Sequence, residues 1–387
     1  MNAAAENTTS PAVRGWCPGA LRPMLSGDGL VVRLRPRLGR LTREQAAGVA
    51  ELAEVHGNGV LDLSSRANLQ MRGVSEEGHE GLLTGLRALG LLDDDAEAEA
   101  RRNVLHHPFG ACMEISAQLE DALADPTLPA LSSKFGYVLD AGAVPLLRDA
   151  PGDIRLERHP EAGLILRPDG AAFGKPVVEA DAVPEMLALA RWFAGAGGLS
   201  TGRMRHLVAQ GTALPPGYDT PVAADAPMTP VPGPQENGYL VALAFGQMDA
   251  GTLRELSRLG GLRLTPWRMV LIEGLGQAPD VPGVITRGDD PLLRVVACVG
   301  HPACLQARAE TRQTARTLAP LVPTGRKLHV SGCAKGCAHA KPADFTLIPG
   351  AEGFDLVRNG RADARPDRRG LDMTALARVL KEEADAT

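Results

Sequence analysis

The sequence predicts an α+β protein built around an internal repeat, and three observations predict it. Strand and helix patterns mix along all 387 residues. One strand, helix, strand pattern occurs twice, on either side of a proline-rich stretch, and repeats of this kind fix the reading of the whole fold. The composition, 44% hydrophobic and 22% charged, is that of a chain able to bury a sizeable core. The length exceeds the roughly 250–300 residues at which single cores stop growing, so two or more domains are expected.

The first copy opens at Asp28-Gly29, continues through an apolar strand at residues 30–34 and enters a helix at Thr42, which with Gln45 makes a capping box. Gly57 is placed to end that helix. A second strand begins at Leu61-Asp62-Leu63-Ser64 and closes at Gly73. Residues 100–207 add strands at 137–140 and 163–166 and an amphipathic helix near 182–194. From Leu214 to Gln235 the chain carries Pro215, Pro216, Pro221, Pro227, Pro230, Pro232 and Pro234 without apolar periodicity, the pattern of an extended linker. The second copy starts at Asn237-Gly238, with a strand at 239–244, a helix at about 249–259 stopped by Gly260-Gly261, and Leu262-Arg263-Leu264-Thr265 closing at Gly274. Ser64 to Gly73 and Thr265 to Gly274 span the same interval, so these strands align without a gap. A final helix is expected at about 373–383.

The difference between the copies carries the functional signal. In the first, Arg66, Asn68, Gln70 and Arg72 alternate with Ala67, Leu69 and Met71, and a period of two puts the four polar side chains on one strand face. Such a face could grip an anion, although for an isolated strand it could equally be a solvated edge. In the second copy the matching positions are Trp267, Met269, Leu271 and Glu273, a mostly apolar face. One half reads as functional and the other as structural.

A net charge of −5 argues against coating nucleic acid or an anionic membrane. There is no apolar run of transmembrane length, and the start MNAAAENTTSPAVRG lacks the basic and apolar regions of a secretory signal, so the cytoplasm is the expected location. The six cysteines are too sparse for a disulfide scaffold. Four fall into two pairs, Cys298-x5-Cys304 and Cys333-x3-Cys337, separated by 28 residues. Structural zinc sites favour tighter pairs, whereas iron–sulfur clusters accept wider spacing, so one [4Fe-4S] cluster is the favoured reading, with zinc and inert thiols as alternatives. Gly300, Gly332 and Gly336 allow close backbone approach to cluster sulfurs. Cys17 and Cys112 lack such spacing and read as buried thiols. No dinucleotide fingerprint is present, since Gly195-Ala196-Gly197-Gly198-Leu199-Ser200 fails at its last position, and there is no phosphate-binding loop.

The doubled unit, the Arg66-x-x-x-Gln70 strand, Arg102-Asn103-Val104, Lys134-Phe135, and Cys-x5-Cys followed by Gly-Cys-x3-Cys together resemble the siroheme-dependent sulfite and nitrite reductase superfamily, from about Gly15 to Pro349. That resemblance implies two ferredoxin-like half-domains (12–98 and 236–284), a tetrapyrrole-binding domain (99–213), the linker (214–235) and a cluster-binding domain (285–387). It also implies that Cys298, Cys304, Cys333 and Cys337 bind a [4Fe-4S] cluster, with Cys337 at the position that bridges to siroheme iron in the reductases. A narrower resemblance, to the precorrin-3B synthase family of aerobic cobalamin biosynthesis, rests on Arg14-Gly15-Trp16-Cys17-Pro18-Gly19, Gly27-Asp28-Gly29-Leu30, the segment from Ser65 to Val74 and the segment from His329 to His339. The reductases usually read Gly-Cys-Pro-Asn where this chain has Gly332-Cys333-Ala334-Lys335, and they tend to carry a second lysine where it has Gly136.

The narrower resemblance implies precorrin-3A as substrate, O2 as co-substrate, NADH-derived electrons arriving through a separate reductase, and a mononuclear non-haem iron beside the cluster; siroheme is implied only under the reductase alternative. Both macrocycles are fringed with carboxylates, which arginine pairs bidentately. Candidate contacts are Arg66, Asn68, Gln70, Arg72, Arg102, Lys134, Arg203 and Arg205. His106, His107, His301, His329 and His339 are near the motifs, but no two-histidine, one-carboxylate set is evident and a hydrogen-bonded structural role is the better reading of each.

Overall fold

The computed structural model of the chain describes residues 18–222 and 228–385. Cys17 and its Arg-Gly-Trp neighbours lie outside the described residues. The chain divides into two compact units, a larger one up to Gly288 and a smaller one formed by Ser26–Asp28 with the segment from Asp289 onward.

The larger unit holds both copies of the repeat. The first contributes β1 (Met24–Ser26), β2 (Gly29–Leu34), β3 (Arg40–Leu41), α1 (Arg43–His56), β4 (Val60–Leu63), β5 (Leu69–Val74) and α2 (Glu76–Ala88). Helix α1 begins where expected: Thr42 Oγ1 accepts from Gln45 N and Gln45 returns a bond to Thr42 N, while Gly57 ends it. Between the copies run α3 (Ala96–Arg101), β6 (Val104–His106), α4 (Met113–Ala122), β7 (Tyr137–Asp140), β8 (Ile154–His159), β9 (Gly163–Pro168), β10 (Phe173–Val177), α5 (Glu179–Phe193), the single turn α6 (Leu199–Thr201), α7 (Met204–Ala209) and β11 (Thr220–Pro221). Their sheet runs β11-β10-β9-β8-β7-β6, with β6, β7 and β8 parallel. The second copy contributes β12 (Gly233–Gln235), β13 (Gly238–Leu243), β14 (Gln247–Asp249), α8 (Ala250–Leu259), β15 (Leu262–Leu264), β16 (Met269–Glu273) and β17 (Val284–Ile285).

The two copies interlock. Their sheets run β1-β2-β5-β4-β14 and β12-β13-β16-β15-β3. Each copy therefore lends the short strand before its helix to the edge of the other's sheet: β14 pairs with β4 and β3 with β15. The turns that allow this are matched too. Leu38 and Phe245, one residue before Gly39 and Gly246, both hold φ near +60°, and Ala67 and Arg268 share a left-handed backbone. Gly73 and Gly274, at φ of 67° and 72°, close the third strand of each copy. Alternate residues of the first sheet, Val32, Leu61, Met71 and Met248, are buried in one core with Ala46, Ala50 and Ala53 of α1 and Leu253 and Leu256 of α8. Burial of that apolar area is what couples the copies.

Two expectations need correction. The alternation does not place four residues on one strand, because β5 starts at Leu69. Arg66 and Asn68 lie in the preceding turn, where Ser64 Oγ accepts from both their backbone N–H groups at 3.3 and 3.2 Å. The proline-rich stretch is not wholly a linker either. Two pieces of it serve as sheet edges, β11 on β10 and β12 on β13, the places where a strand tolerates proline's missing donor.

In the smaller unit, β18 (Val295–Ala297), α9 (Thr311–Leu318), β19 (Leu328–Val330), β20 (Ala343–Pro349), β21 (Phe354–Gly360), β22 (Arg368–Leu371) and α10 (Met373–Asp385) form a sheet in order β18-β19-β20-β21-β22 with helices. Strands β18, β19 and β20 are parallel and the rest antiparallel. Among the described residues no helix is long and apolar enough to cross a membrane.

The interlocking makes a prediction. A fragment ending at residue 222 lacks β14 and α8, so β4 has no partner on one edge and α1 keeps α2 but loses α8. Amide hydrogen exchange in β4 and β5 is expected to be fast in the fragment and protected in the full chain; protection retained in the fragment would disprove the coupling.

Candidate functional site

The first sheet offers a polar face opposite its apolar one. Gln70 stands between Arg33 on β2 and Asp62 on β4 in the register. Its Oε1 accepts from Arg33 Nη2 at 2.7 Å. Arg72 is buried and lies 3.6 Å from Asp62. At the same structural position of the second sheet, Glu273 binds Arg40 (2.7 Å) and Arg263 (2.6 Å), so that face neutralises itself.

Arg66 and Lys134 come together at the head of the central sheet. Arg66 Nη2 donates to the Lys134 carbonyl at 2.9 Å. The loop carrying Lys134 is held by Asn103, whose Nδ2 donates to Phe135 O at 2.8 Å, and by Asp153, which accepts from Gly136 N at 3.0 Å. Asp153 also accepts from Arg203 Nε and Met204 N, both at 2.9 Å. Arg66, Lys134 and Arg203 thus share one hydrogen-bonded neighbourhood. A Cβ added at Gly136 would lie 2.8 Å from Asn103 Nδ2 and 3.1 Å from Arg66 Nη1, so this position accepts no side chain without displacing its neighbours.

Arg102 and Arg205 are likewise held by carboxylates. Arg102 makes a two-pronged pair with Asp93, both bonds at 2.8 Å. Arg205 bonds Asp169 at 2.7 Å, and Asp169 also holds the buried Arg155. These acids, with Glu99 and Glu120, are what sequence reasoning missed. Buried Glu99 accepts from Arg35 Nη1 at 2.7 Å and from the backbone of Ala20 and Leu21. No local spacing announces such partners, because each is brought by a different element. Asn68 is buried, and no hydrogen-bond partner of its Nδ2 is found among the described residues.

Cys298, Cys304, Cys333 and Cys337 lie in the smaller unit at the carboxyl ends of two adjacent parallel strands, where α/β sheets place their ligands. Cys298 follows β18 and Cys333 follows β19, in a register that pairs Ala297 with Val330. Gly332 N donates to Cys298 Sγ at 3.2 Å, and Cys304 N bonds Gly300 O at 2.8 Å. Gly300 and Gly336 take positive φ, and a Cβ on Gly300 would lie 2.5 Å from Thr311 Oγ1. All four are free thiols. Burial pushes the Cys337 thiol up; Lys335 opposes this, and the charges of Cys333, Cys298 and Cys304 reinforce it, so the four sulfurs share one field. Among the described residues no group of three or more His, Cys, Asp or Glu is arranged to hold a single metal ion. Cys112, expected to be buried, is half-buried, and burial pushes its thiol up to about 11.

Residues 22–89 match the nitrite/sulfite reductase ferredoxin-like half domain. A solved structure, that of the Mycobacterium tuberculosis NirA protein, superposes with a TM-score of 0.62 over 88% of this chain and 76% of NirA at 19% identity. The chain has the nitrite/sulfite reductase fold. It is also similar to a curated precorrin-3B synthase of Sinorhizobium sp, at 29% identity over 98% of this chain and 91% of that protein. The mixed α+β class, the repeat and the superfamily resemblance read from the sequence are all borne out.

His107, next to this sheet, sets a pH dependence. Burial pushes its imidazole down to about 4, so the fold favours the neutral form. Stability is then complete above about pH 6.5, the unfolded value, and falls by roughly 2–3 kcal/mol as pH drops toward 4. Urea midpoints are expected to drop between pH 7 and 4.5, and less so in His107→Phe; equal drops would show that His107 is not the cause.

Proposed function

We propose that this chain is a precorrin-3B synthase, hydroxylating precorrin-3A at a meso carbon and closing a γ-lactone from a ring acetate with O2 and reducing equivalents. The similarity to a protein of that name across nearly the whole of both chains carries the reading. Gly136 supports it against a siroheme sulfite or nitrite reductase. The reductases tend to place a second anion-binding lysine there, and in this chain the position is packed against Asn103 and Arg66.

Arg66 and Lys134 are the substrate-binding cations in this reading, with Gln70 and the polar face around it turned to the macrocycle's carboxylate fringe. Arginine holds such a carboxylate through two parallel N–H bonds. Arg72 lies on the same sheet and Asn68 in the turn before it. Arg102, Arg203 and Arg205, each already bonded to a carboxylate, hold the walls and set the local charge. Asp153 fixes the loop of Lys134 and so aims both cations.

Cys298, Cys304, Cys333 and Cys337 would hold a [4Fe-4S] cluster. Four free thiols on one sheet end, a backbone N–H already donated to Cys298 Sγ and glycines that let the backbone close in are the chemistry such a cluster needs. When bound it supplies single electrons, drawn in this reading from NADH through a separate reductase in the cytoplasm. The described residues provide no ligand set for a mononuclear iron, and no step is assigned to one.

Purified enzyme given precorrin-3A, a reductant and 18O2 is expected to place one labelled oxygen in a lactone product seen by mass spectrometry. Extractable siroheme with sulfite or nitrite reduction and no consumption of precorrin-3A would replace this reading with the reductase. Arg66→Ala should weaken precorrin-3A binding by about 1.5–3 kcal/mol, the worth of a charged hydrogen bond, measured by fluorescence titration. Cys298→Ala should lose the broad visible absorption together with iron and sulfide, while the two units stay folded by circular dichroism.

A further inference from the structure

A small enclosed cavity in the larger unit gathers buried polar atoms of opposite character. It has about 10 Å3 of free volume, and its walls include Arg35, Asn68, Arg102, His106, Glu120 and Arg263. Asn68 and His106 are each 6% exposed. Asn68 Nδ2, His106 Nδ1 and Arg35 Nε have no hydrogen-bond partner among the described residues. A buried polar group left so costs about 1–3 kcal/mol, which makes the grouping of three at one cavity informative.

The protonation of the wall follows from its bonds. Glu120 accepts from His106 Nε2 at 2.9 Å and from Leu38 N at 3.1 Å. Burial raises its pKa, but the His106 bond and the charges of His106 and Arg102 outweigh this and hold it below the usual carboxylate range. A carboxylate only accepts. His106 Nε2–H therefore donates to Glu120, and Nδ1 is left facing the cavity. Asn68 and Arg35 offer N–H donors to the same space.

The geometry points to one bound water in this cavity, and to His106 as the group that exchanges a proton with it. The volume is about that of one water, which needs two to four polar partners. Here its O–H donates to Nδ1 and its lone pairs accept from Asn68 and Arg35. Passing that proton to Nδ1 leaves hydroxide against the two N–H donors and an imidazolium against the Glu120 carboxylate; no electrons move, and the reverse step returns the proton. A histidine backed by a carboxylate is a familiar acid–base pair. Glu120, itself buried, also borders a cleft of about 370 Å3 lined by Arg37 and Asp121. The charged groups around His106 are Glu120, Arg35, Arg37, Arg102 and Arg263.

The role of this station rests on the proposed function: oxygenation with two electrons and two protons leaves one oxygen as water, and Asn68 lies among the candidate macrocycle contacts. His106 touches the water and not the substrate. Nitrogen-15 correlation spectra of the full-length protein are expected to show His106 as the Nε2–H tautomer, with a cross-relaxation peak between a slowly exchanging water and the Asn68 amide. In His106→Gln, and in Glu120→Gln, which keeps the acceptor but not the charge, precorrin-3A turnover should fall tenfold or more, with KM within twofold and a flattened pH profile. An Nδ1–H tautomer, no water peak, or turnover with an unchanged pH profile in His106→Gln would overturn the proposal. If the parent enzyme fails to use precorrin-3A at all, the functional reading fails, and the tautomer and water peak alone decide this site.

Discussion

The exchange of edge strands between the two copies is the constraint on which the rest of the larger unit depends. Because β14 completes the first sheet and β3 the second, neither sheet is whole without the other copy. Both sheets must then turn their apolar faces toward the packed pair α1 and α8. A strand has only two faces, so everything that buries Val32, Leu61 and Met71 obliges Arg33, Asp62 and Gln70 to look the other way. The polar face is the geometric remainder of a shared core. Gln70 and its neighbours are thereby held on a rigid sheet.

The second constraint is charge. Removing an arginine from water is costly unless a carboxylate meets it, and breaking such a buried pair costs about 3–5 kcal/mol. Arg35 with Glu99, Arg155 with Asp169 and Arg167 with Glu157 are matched in this way, at 2.7, 2.9 and 2.5 Å. These pairs neutralise one another and hold together the elements they come from. Arg66 also donates to a neutral acceptor, the Lys134 carbonyl at 2.9 Å, and that bond fixes its guanidinium in place.

The parts of this that could be read from sequence are the ones encoded locally. The capping box at Thr42 and Gln45, the glycine stops at Gly57 and Gly260, and the equal interval from Ser64 to Gly73 and from Thr265 to Gly274 announce elements and a repeat through neighbouring residues alone. The cysteine pairs were legible for the same reason. Strand exchange was not, since two- and three-residue strands such as β3 and β14 carry no periodicity of their own. The turn at Arg66 was misread as strand because Arg66, Asn68, Gln70 and Arg72 keep a period of two straight through it; the left-handed backbone at Ala67 breaks the strand without breaking the pattern. Carboxylate partners such as Asp153 and Glu120 were invisible because their meaning lies in elements 17 and 14 residues or more away from Gly136 and His106.

The fate of the second copy follows from these two constraints together. Its sheet satisfies the same core, so the fold has no reason to change it, and its turns keep the same backbone at Arg268 and Gly274. What differs is the face left over. Where the first copy has Arg72, the second has Glu273, drawn between Arg40 and Arg263. Arg40 comes from the strand the first copy lent. The exchanged strand therefore does two things: it completes the sheet of the second copy, and it brings the cation that closes that copy's polar face. Duplication yielded one core with two outer faces of different charge, Arg72 beside Asp62 on the first and Glu273 between two arginines on the second.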